Sequence, residues 1–248
     1  MNLYLALGIT SGDVVAFAGA GGKTSAIREI SAGLTRDGMR VLVAPTTKMM
    51  VSEAEQIGPL VTSEDPEELR ARVREALTDA NAVVAGSSLI SKGRVGGIEP
   101  NLFGTLADLA DVVLVEADGA RHRLLKGTAD HEPALPDVTT LVVALGNIRA
   151  LGSPVDEEHV HRPQIFSDLT GISLGQSITA RAFARALAKG SLGSIPYEAQ
   201  PAILITGVEP GRSMSDASII TREIWRMGIK KVVLSSLPQE SPGRVWIP

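Results

Sequence analysis

Lys23 and Thr24 stand directly behind a run of small residues, an arrangement suited to holding phosphate. Residues 14–25 read VVAFAGAGGKTS. The apolar run Val14 to Ala18 reads as a strand, Gly19, Ala20, Gly21 and Gly22 as a loop, and Ala26 to Leu34 as a helix. Glycines let backbone N–H groups approach a phosphate because no Cβ intervenes. The start of a helix adds unpaired N–H donors and a partial positive charge. In such a loop Lys23 would supply a charge to the β- and γ-phosphates and the Thr24 hydroxyl a ligand for Mg²⁺, so Gly19 through Ser25 are the expected nucleotide-binding residues. The standard pattern G-x-x-x-x-G-K-[ST] is met only from Gly22 onward. Its first Gly falls at Phe17, and Ala18 occupies the place of the upstream Lys found in one variant. A dinucleotide reading, G-x-G-x-x-G, starts at Gly19 and Gly21 but ends on Thr24. The following apolar run ends in Val43-Ala44-Pro45, without the acid that binds a ribose.

A second group of chemical residues lies in DVVLVEADGARHR, residues 111–123. An apolar strand would deliver Glu116 and Asp118 to its C-terminal end, and a spacing of two puts both carboxylates on one side if the strand continues. Two acids beside a phosphate loop suit Mg²⁺, which takes oxygen ligands and keeps waters. Thr24, Glu116 and Asp118 are therefore the expected metal ligands. Lys23, Glu116 and Asp118 are the expected catalytic residues, one acid holding the metal and the other orienting water. An acid after a strand is also compatible with a solvated strand end or a helix cap. Gly119 would allow a backbone N–H to reach a γ-phosphate. Thr46, Thr47 and Lys48 follow another apolar run and would meet the phosphate or a second substrate; a polar strand end is an equal alternative.

All four histidines, His122, His131, His159 and His161, fall between residues 122 and 161. The H-x-H at 159–161 is a weak transition-metal signal without a third ligand. His131 and His161 are candidates for a base, a proton relay or a substrate contact, with hydrogen-bonded structural histidines an equal alternative. Arg121, Arg123, Lys126 and Arg162 would give this region a positive lining suited to an anionic substrate. Guanine-selective loops present Asn-Lys-x-Asp after a late strand; here the apolar run 202–206 leads into Thr206-Gly207-Val208-Glu209, so ATP is favoured over GTP.

These residues need a scaffold. Apolar runs at 13–18, 40–44, 82–85, 112–115, 138–145, 202–206 and 231–235 are of strand length, too short for helices. Helical patterns lie at 2–8, from the loop to about Asp37, 65–78, 100–110, 164–171, 178–189 and 214–227. Asp65-Pro66-Glu67-Glu68 is a helix start with an N-cap and acids facing the dipole. Residues 52–66, 86–99 and 118–137 read as irregular. This alternation predicts an α/β fold, a mostly parallel sheet with helices on both faces, P-loop NTPase-like. It forms one domain over 1–248, with a smaller C-terminal lobe at 175–248 as an alternative. Ligands in such sheets sit beyond the carboxyl ends of strands, so Gly19–Thr24, Pro45–Lys48, Glu116–Gly119 and Gly146–Asn147 should share one rim.

With 248 residues, 44% of them hydrophobic, the chain can bury a large core. A net charge of −4 argues against a nucleic-acid or anionic-membrane surface. The absence of cysteine removes disulfides, thiolate metal sites and a Cys nucleophile. MNLYLALGITSGD lacks the features of a signal peptide, and no apolar run reaches the ~20 residues of a membrane helix. The expectation is a soluble cytoplasmic protein.

In order, VVAFAGAGGKTS, VLVAPTTKM, VLVEADGAR, LLKGTADHEPALP and DEEHVHRPQIF resemble the YqeC family, over most of residues 3–210. That family is grouped with accessory proteins of selenium-dependent molybdenum hydroxylases and with selenium-cofactor biosynthesis. The resemblance implies a phosphate-loop nucleotide-binding protein whose partner is a labile metal-cofactor enzyme or its maturation machinery. It marks Gly19–Ser25, Thr46–Lys48, Glu116, Asp118, Gly119, Arg121, Lys126, His131, Glu132, His161 and Arg162. Among these, Thr46, Thr47, Lys48, Arg121, Lys126, Glu132 and Arg162 are the expected substrate contacts. The expected function is a Mg²⁺-dependent nucleoside triphosphatase or phosphotransferase assisting cofactor maturation. The alternatives are a nucleotide-switched binding module or chaperone with negligible turnover, its moving parts at 86–99 and 119–137, and a kinase or ligase acting on an anionic substrate.

Overall fold

A computed structural model describes residues 2–90, 93–238 and 242–248; residues 91 and 92 of the expected mobile segment, and 239–241 near the C-terminus, lie outside the described residues. The apolar runs form strands β1 (Val14–Gly19), β2 (Val41–Pro45), β3 (Leu60–Thr62), β4 (Ala82–Gly86), β5 (Val112–Glu116), β6 (Leu141–Asn147), β7 (Gln200–Thr206), β8 (Lys231–Ser235) and β9 (Val245–Trp246). They join in one nine-stranded sheet ordered β9-β8-β7-β6-β1-β5-β2-β4-β3. All pairings are parallel except β8 with β9. The central strands are covered on both faces, which is why they read as continuous apolar runs instead of alternating ones.

Neighbouring side chains on a strand point to opposite faces. Val15 and Phe17 join a core with helices α1 (Leu3–Leu7) and α2 (Lys23–Arg36), through Leu3, Leu7, Ile27, Ile30 and Leu34. Val14 and Ala16 face the opposite core. There the packing helices are α4 (Pro66–Asp79), α7 (Ala180–Arg185) and α8 (Arg212–Arg226), which follow the short α3 (Val51–Ala54), α5 (Phe103–Leu106) and α6 (Pro163–Thr170) in this chain-order numbering. Helices therefore cover both faces, as the alternation predicts. Asp65 caps α4, its side chain accepting from the Glu68 N–H at 2.8 Å.

Several segments differ from the sequence reading. Within 52–66, expected to be irregular, α3 forms and Leu60–Thr62 adds an edge strand. Within 86–99, expected to be a loop, Leu89–Ile90 pairs with Arg94–Val95, which also pairs with Met49–Met50, in a small antiparallel ladder. The helix expected over 100–110 breaks into a 3₁₀ turn, α5 and a second 3₁₀ turn. Within 118–137, Leu125–Lys126 pairs in parallel with Val160–His161. Trp246 is half-buried in a strand, with Arg244 over its ring at 5.8 Å. Among the described residues, no helix is long and apolar enough to cross a membrane.

β5 and β6 flank β1 on its two sides, and register ties their ends together: Phe17 and Pro45 both pair with Glu116, and Gly19 with Leu145. The carboxyl ends of these strands form the rim on which the chemical residues converge.

Candidate functional site

β1 runs on through Gly19, so only Ala20, Gly21 and Gly22 separate it from the first residue of α2, Lys23. This accounts for Phe17 at the place of the pattern's first glycine: it is a fully buried strand residue whose carbonyl accepts from the Ala117 N–H. Gly21 has φ +80°, and a Cβ there would lie 2.6 Å from the Asn147 nitrogen. Gly19, at φ +92°, would put a Cβ 2.5 Å from the Leu145 carbonyl. These two glycines are required by how closely the loop presses on β6. The Thr206 hydroxyl donates to the Gly21 carbonyl and closes the turn from the β7 side.

The loop amides are unevenly available. Gly19 N–H donates to Asp118, Ala20 N–H to the Leu145 carbonyl and Gly21 N–H to the Arg123 carbonyl. The role of Ala20 and Gly21 here is thus to shape the turn. The first turn of α2, from Lys23 through Ser25, begins at Gly22 with no side-chain cap, and first-turn amides have no partner inside their own helix.

At that helix start the Thr24 hydroxyl donates to Glu116 Oε2 at 3.1 Å. Burial pushes the Glu116 carboxyl above its ordinary range, outweighing the pull of Lys23 and Thr24; Glu53, on α3, adds to the push. A carboxylate under-compensated for its burial, beside a hydroxyl, fits a hard cation such as Mg²⁺. Among the described residues no group of three or more His, Asp and Glu is placed to hold a metal ion. The fit is that of a Mg²⁺ ion completed by phosphate and waters, not of an all-protein cage.

Asp118 is placed otherwise than as a metal ligand. It is fully buried, and its Oδ2 accepts from Gly19 N–H and Lys126 Nζ, both at 2.9 Å. Its Oδ1 accepts no well-aligned hydrogen bond and faces the Lys23 ammonium at 3.1 Å. Lys23 Nζ also donates to the Gly19 carbonyl at 2.7 Å. Burial alone would lower the Lys23 pKa, but Asp118 and Glu116 outweigh it and keep the ammonium above its ordinary 10.5.

The charges continue beyond Asp118. Lys126 Nζ spends its three protons on Asp118 Oδ2, the Gly119 carbonyl at 2.8 Å and Glu132 Oε2 at 2.8 Å. Glu132 in turn takes the fork of Arg162, with Nη1 on Oε2 and Nη2 at 3.3 Å from Oε1. Burial would raise the Glu132 pKa, yet Arg162 and Lys126 hold it below the ordinary value. Lys23, Asp118, Lys126, Glu132 and Arg162 thus form one chain of alternating charge running from the loop to the short strand Val160–His161.

His161 lies at the far end, beside Lys126 in the strand register. Burial, together with Arg162 and Lys126, lowers its pKa to about 4, so it is a neutral acceptor at neutral pH. His131 and His122 are exposed, and His159 is tied to Asp156 at 2.7 Å, so the four histidines do not gather as a metal cluster. Thr46 hangs from the end of β5, its N–H donating to the Glu116 carbonyl at 3.0 Å; Thr47 is half-buried and Lys48 exposed. Sequence reasoning did not single out Glu53, nor the part Asn147 and Thr206 play in fixing the loop. An acid on a four-residue helix carries no pattern of its own.

Residues 15–164, more than half of the chain, match the family model described as YqeC protein. A relative from Escherichia coli (strain K12), "Uncharacterized protein YqeC", is 35% identical over 162 residues, covering 64% of this chain and 61% of the relative. The chain therefore spans less than two thirds of that relative's length. The matched region contains every member of the charge chain, from Lys23 to Arg162, and both residues of the Thr24–Glu116 pair. The chain belongs to the YqeC family.

Proposed function

We propose that the chain binds a nucleoside triphosphate with Mg²⁺ at the start of α2. The observation that carries this reading is the Thr24–Glu116 pair at 3.1 Å, set beside an uncapped helix start that follows a glycine loop and opens with Lys23. The amides of that helix start and the Lys23 ammonium would take the phosphates, and Thr24 with Glu116 would hold the cation. When bound, Mg²⁺ supplies charge neutralisation between phosphate oxygens. ATP is favoured over GTP because Thr206-Gly207-Val208-Glu209 lacks the Asn, Lys and Asp of guanine readers. The family resemblance supports a role as accessory factor in the maturation of selenium-dependent molybdenum hydroxylases.

A second reading, a nucleotide-controlled binding module with negligible turnover, is favoured by the closed state of the loop. The Ala20 and Gly21 amides are engaged inside the fold and Lys23 is held by Asp118. Both readings meet one test: thermal unfolding of the wild type and Lys23→Ala against a panel of nucleoside triphosphates, with and without Mg²⁺. A ligand at about 100 times its Kd adds about 2.7 kcal/mol of stability. The expected result is stabilisation of the wild type by one triphosphate with Mg²⁺, and none of the variant. Equal stabilisation of both would remove the assignment. Phosphate release measured on the same samples then separates hydrolysis from switching.

A further inference from the structure

We propose that the turn Ala120–Arg123 is an autoinhibitory strap on the glycine loop: its Arg123 carbonyl holds the Gly21 amide, and a triphosphate engages that amide only after the turn has swung away. The inference rests on the reading of the loop as a triphosphate site.

One short stretch after β5 supplies oxygens to the loop. Asp118 accepts from Gly19 N–H at 2.9 Å and faces the Lys23 ammonium at 3.1 Å, and the Arg123 carbonyl accepts from Gly21 N–H at 3.0 Å. In a glycine loop that opens onto Lys-Thr, backbone amides are the donors that cradle phosphate oxygens. The Arg123 carbonyl oxygen therefore takes the place of a phosphate oxygen on Gly21. The stretch is fixed at both ends. Lys126 holds the Asp118 carboxylate and the Gly119 carbonyl. Leu124 donates its N–H to the His159 carbonyl at 3.0 Å, and its carbonyl accepts from Asn147 N–H at 2.9 Å. Between these anchors the turn is closed by Arg123 N–H on the Ala120 carbonyl at 2.9 Å, with Arg121 and His122 exposed at its tip.

The residues of this turn do not suit its shape. Arg121 has φ 48° and His122 φ 59°. Positive φ at both central positions marks a type I′ turn, which Gly, Asn and Asp ordinarily fill. Left-handed backbone at other residues carries a cost, and it persists only where the surroundings impose it, often at switch regions. The surroundings here are the two anchors and the Arg123–Gly21 bond. Swinging away sacrifices that one bond and relieves two strained residues. The opposing terms are of similar size, so the turn has two accessible states.

His122 is the position to vary, because it is exposed and lies outside the charge chain. His122→Gly adopts positive φ freely and favours the closed turn. His122→Val, being β-branched, resists positive φ and favours the open one. Both variants lose the imidazole, so a direct role of that ring would move both the same way. Two quantities are measured on the full chain: hydrogen exchange of the Gly21 amide without ligand, and the Kd of ATP and of GTP, each with Mg²⁺. Gly21 should exchange faster than wild type in His122→Val and slower in His122→Gly. The triphosphate that binds should do so about fivefold more tightly in His122→Val and about fivefold more weakly in His122→Gly, because the closed turn reduces the competent fraction. Equal Kd in all three proteins, or a shift of both variants in one direction, would overturn the strap and leave the triphosphate reading intact. Unchanged Gly21 exchange would do the same. If none of the three binds either nucleotide, the triphosphate reading fails and the strap falls with it.

Discussion

Lys126 makes no use of water: its side chain is 1% exposed and its ammonium lies between two carboxylates and a carbonyl. Removing one member of such a buried set costs more than the set contributes, because the others remain desolvated and uncompensated. Lys126→Met keeps the apolar stem but strands both Asp118 and Glu132, so the predicted loss of stability is about 3–5 kcal/mol. Arg40 and Asp111, a pair 3.5 Å apart with about half of Arg40 in solvent, provide the contrast. Arg40→Met should cost about 0–1 kcal/mol. Urea unfolding of both variants checks this, and equal midpoints would show that the charge chain is not the buried network described above. The individual members of that chain could be named from the sequence, as a phosphate-loop lysine, a strand-end acid and a basic lining. Their pairing could not. Lys126 and Asp118 are 8 positions apart, Glu132 and Arg162 are 30, and Gly19 and Asp118 are 99. Which carboxylate meets which ammonium depends on strand order, which residue types do not encode. For the same reason Asp118 read as a partner of Mg²⁺: the spacing of two from Glu116 is correct, but a lysine stands on either side of it.

At the scale of elements, the buried parallel strands and the long helices were legible because each has a strong local signature. Continuous apolar runs mark β1, β2, β4, β5, β6, β7 and β8, and Asp65-Pro66 marks the start of α4. The edges were not legible. β3 is three half-buried residues without alternation, and β9 is two residues whose pairing depends on the chain folding back on β8. The segment 100–109 includes Gly104 and Thr105, weak helix formers, and yields short turns. The turn between β1 and α2 depends on two elements pressing together, and that predicts an asymmetry among glycines. Gly21→Ala combines a left-handed backbone, about 1–2 kcal/mol, with a Cβ 2.6 Å from Asn147, about 1–3 kcal/mol, for a total of about 2–5 kcal/mol. Gly12 has φ +92° but open space around its missing Cβ, so Gly12→Ala should lose only the first part, about 1–2 kcal/mol. Thermal unfolding of the two variants decides the point. If they lost the same amount, the loop would not be seated against β6 as described.

For the whole molecule, the rim of the sheet concentrates groups whose protonation folding has altered in opposite senses, so stability depends on pH through a difference. His161 has a folded pKa of about 4 against an ordinary 6.5, because burial and the cations Arg162, Lys126 and Arg121 disfavour its imidazolium. Between those values the unfolded chain binds the proton more readily than the folded one, so this histidine makes stability fall as pH drops from 6.5 towards 4. Glu132, held below its ordinary 4.5, works in the same direction but only at lower pH, its contribution being lost as pH falls through the folded value. Glu116 is raised above 4.5 by burial and works the other way: the folded state takes up its proton first, and acid relieves the strain of a poorly compensated carboxylate. A single profile therefore cannot assign the slope, but a comparison can. His161→Asn keeps a polar side chain with no titration in this range. The wild type should lose more stability than the variant between pH 7 and 5, when urea midpoints are measured at fixed ionic strength, and the wild-type His161 ring should titrate near pH 4. Parallel profiles, or a His161 titrating near its ordinary 6.5, would mean that the cations do not converge on this imidazole as the charge chain requires.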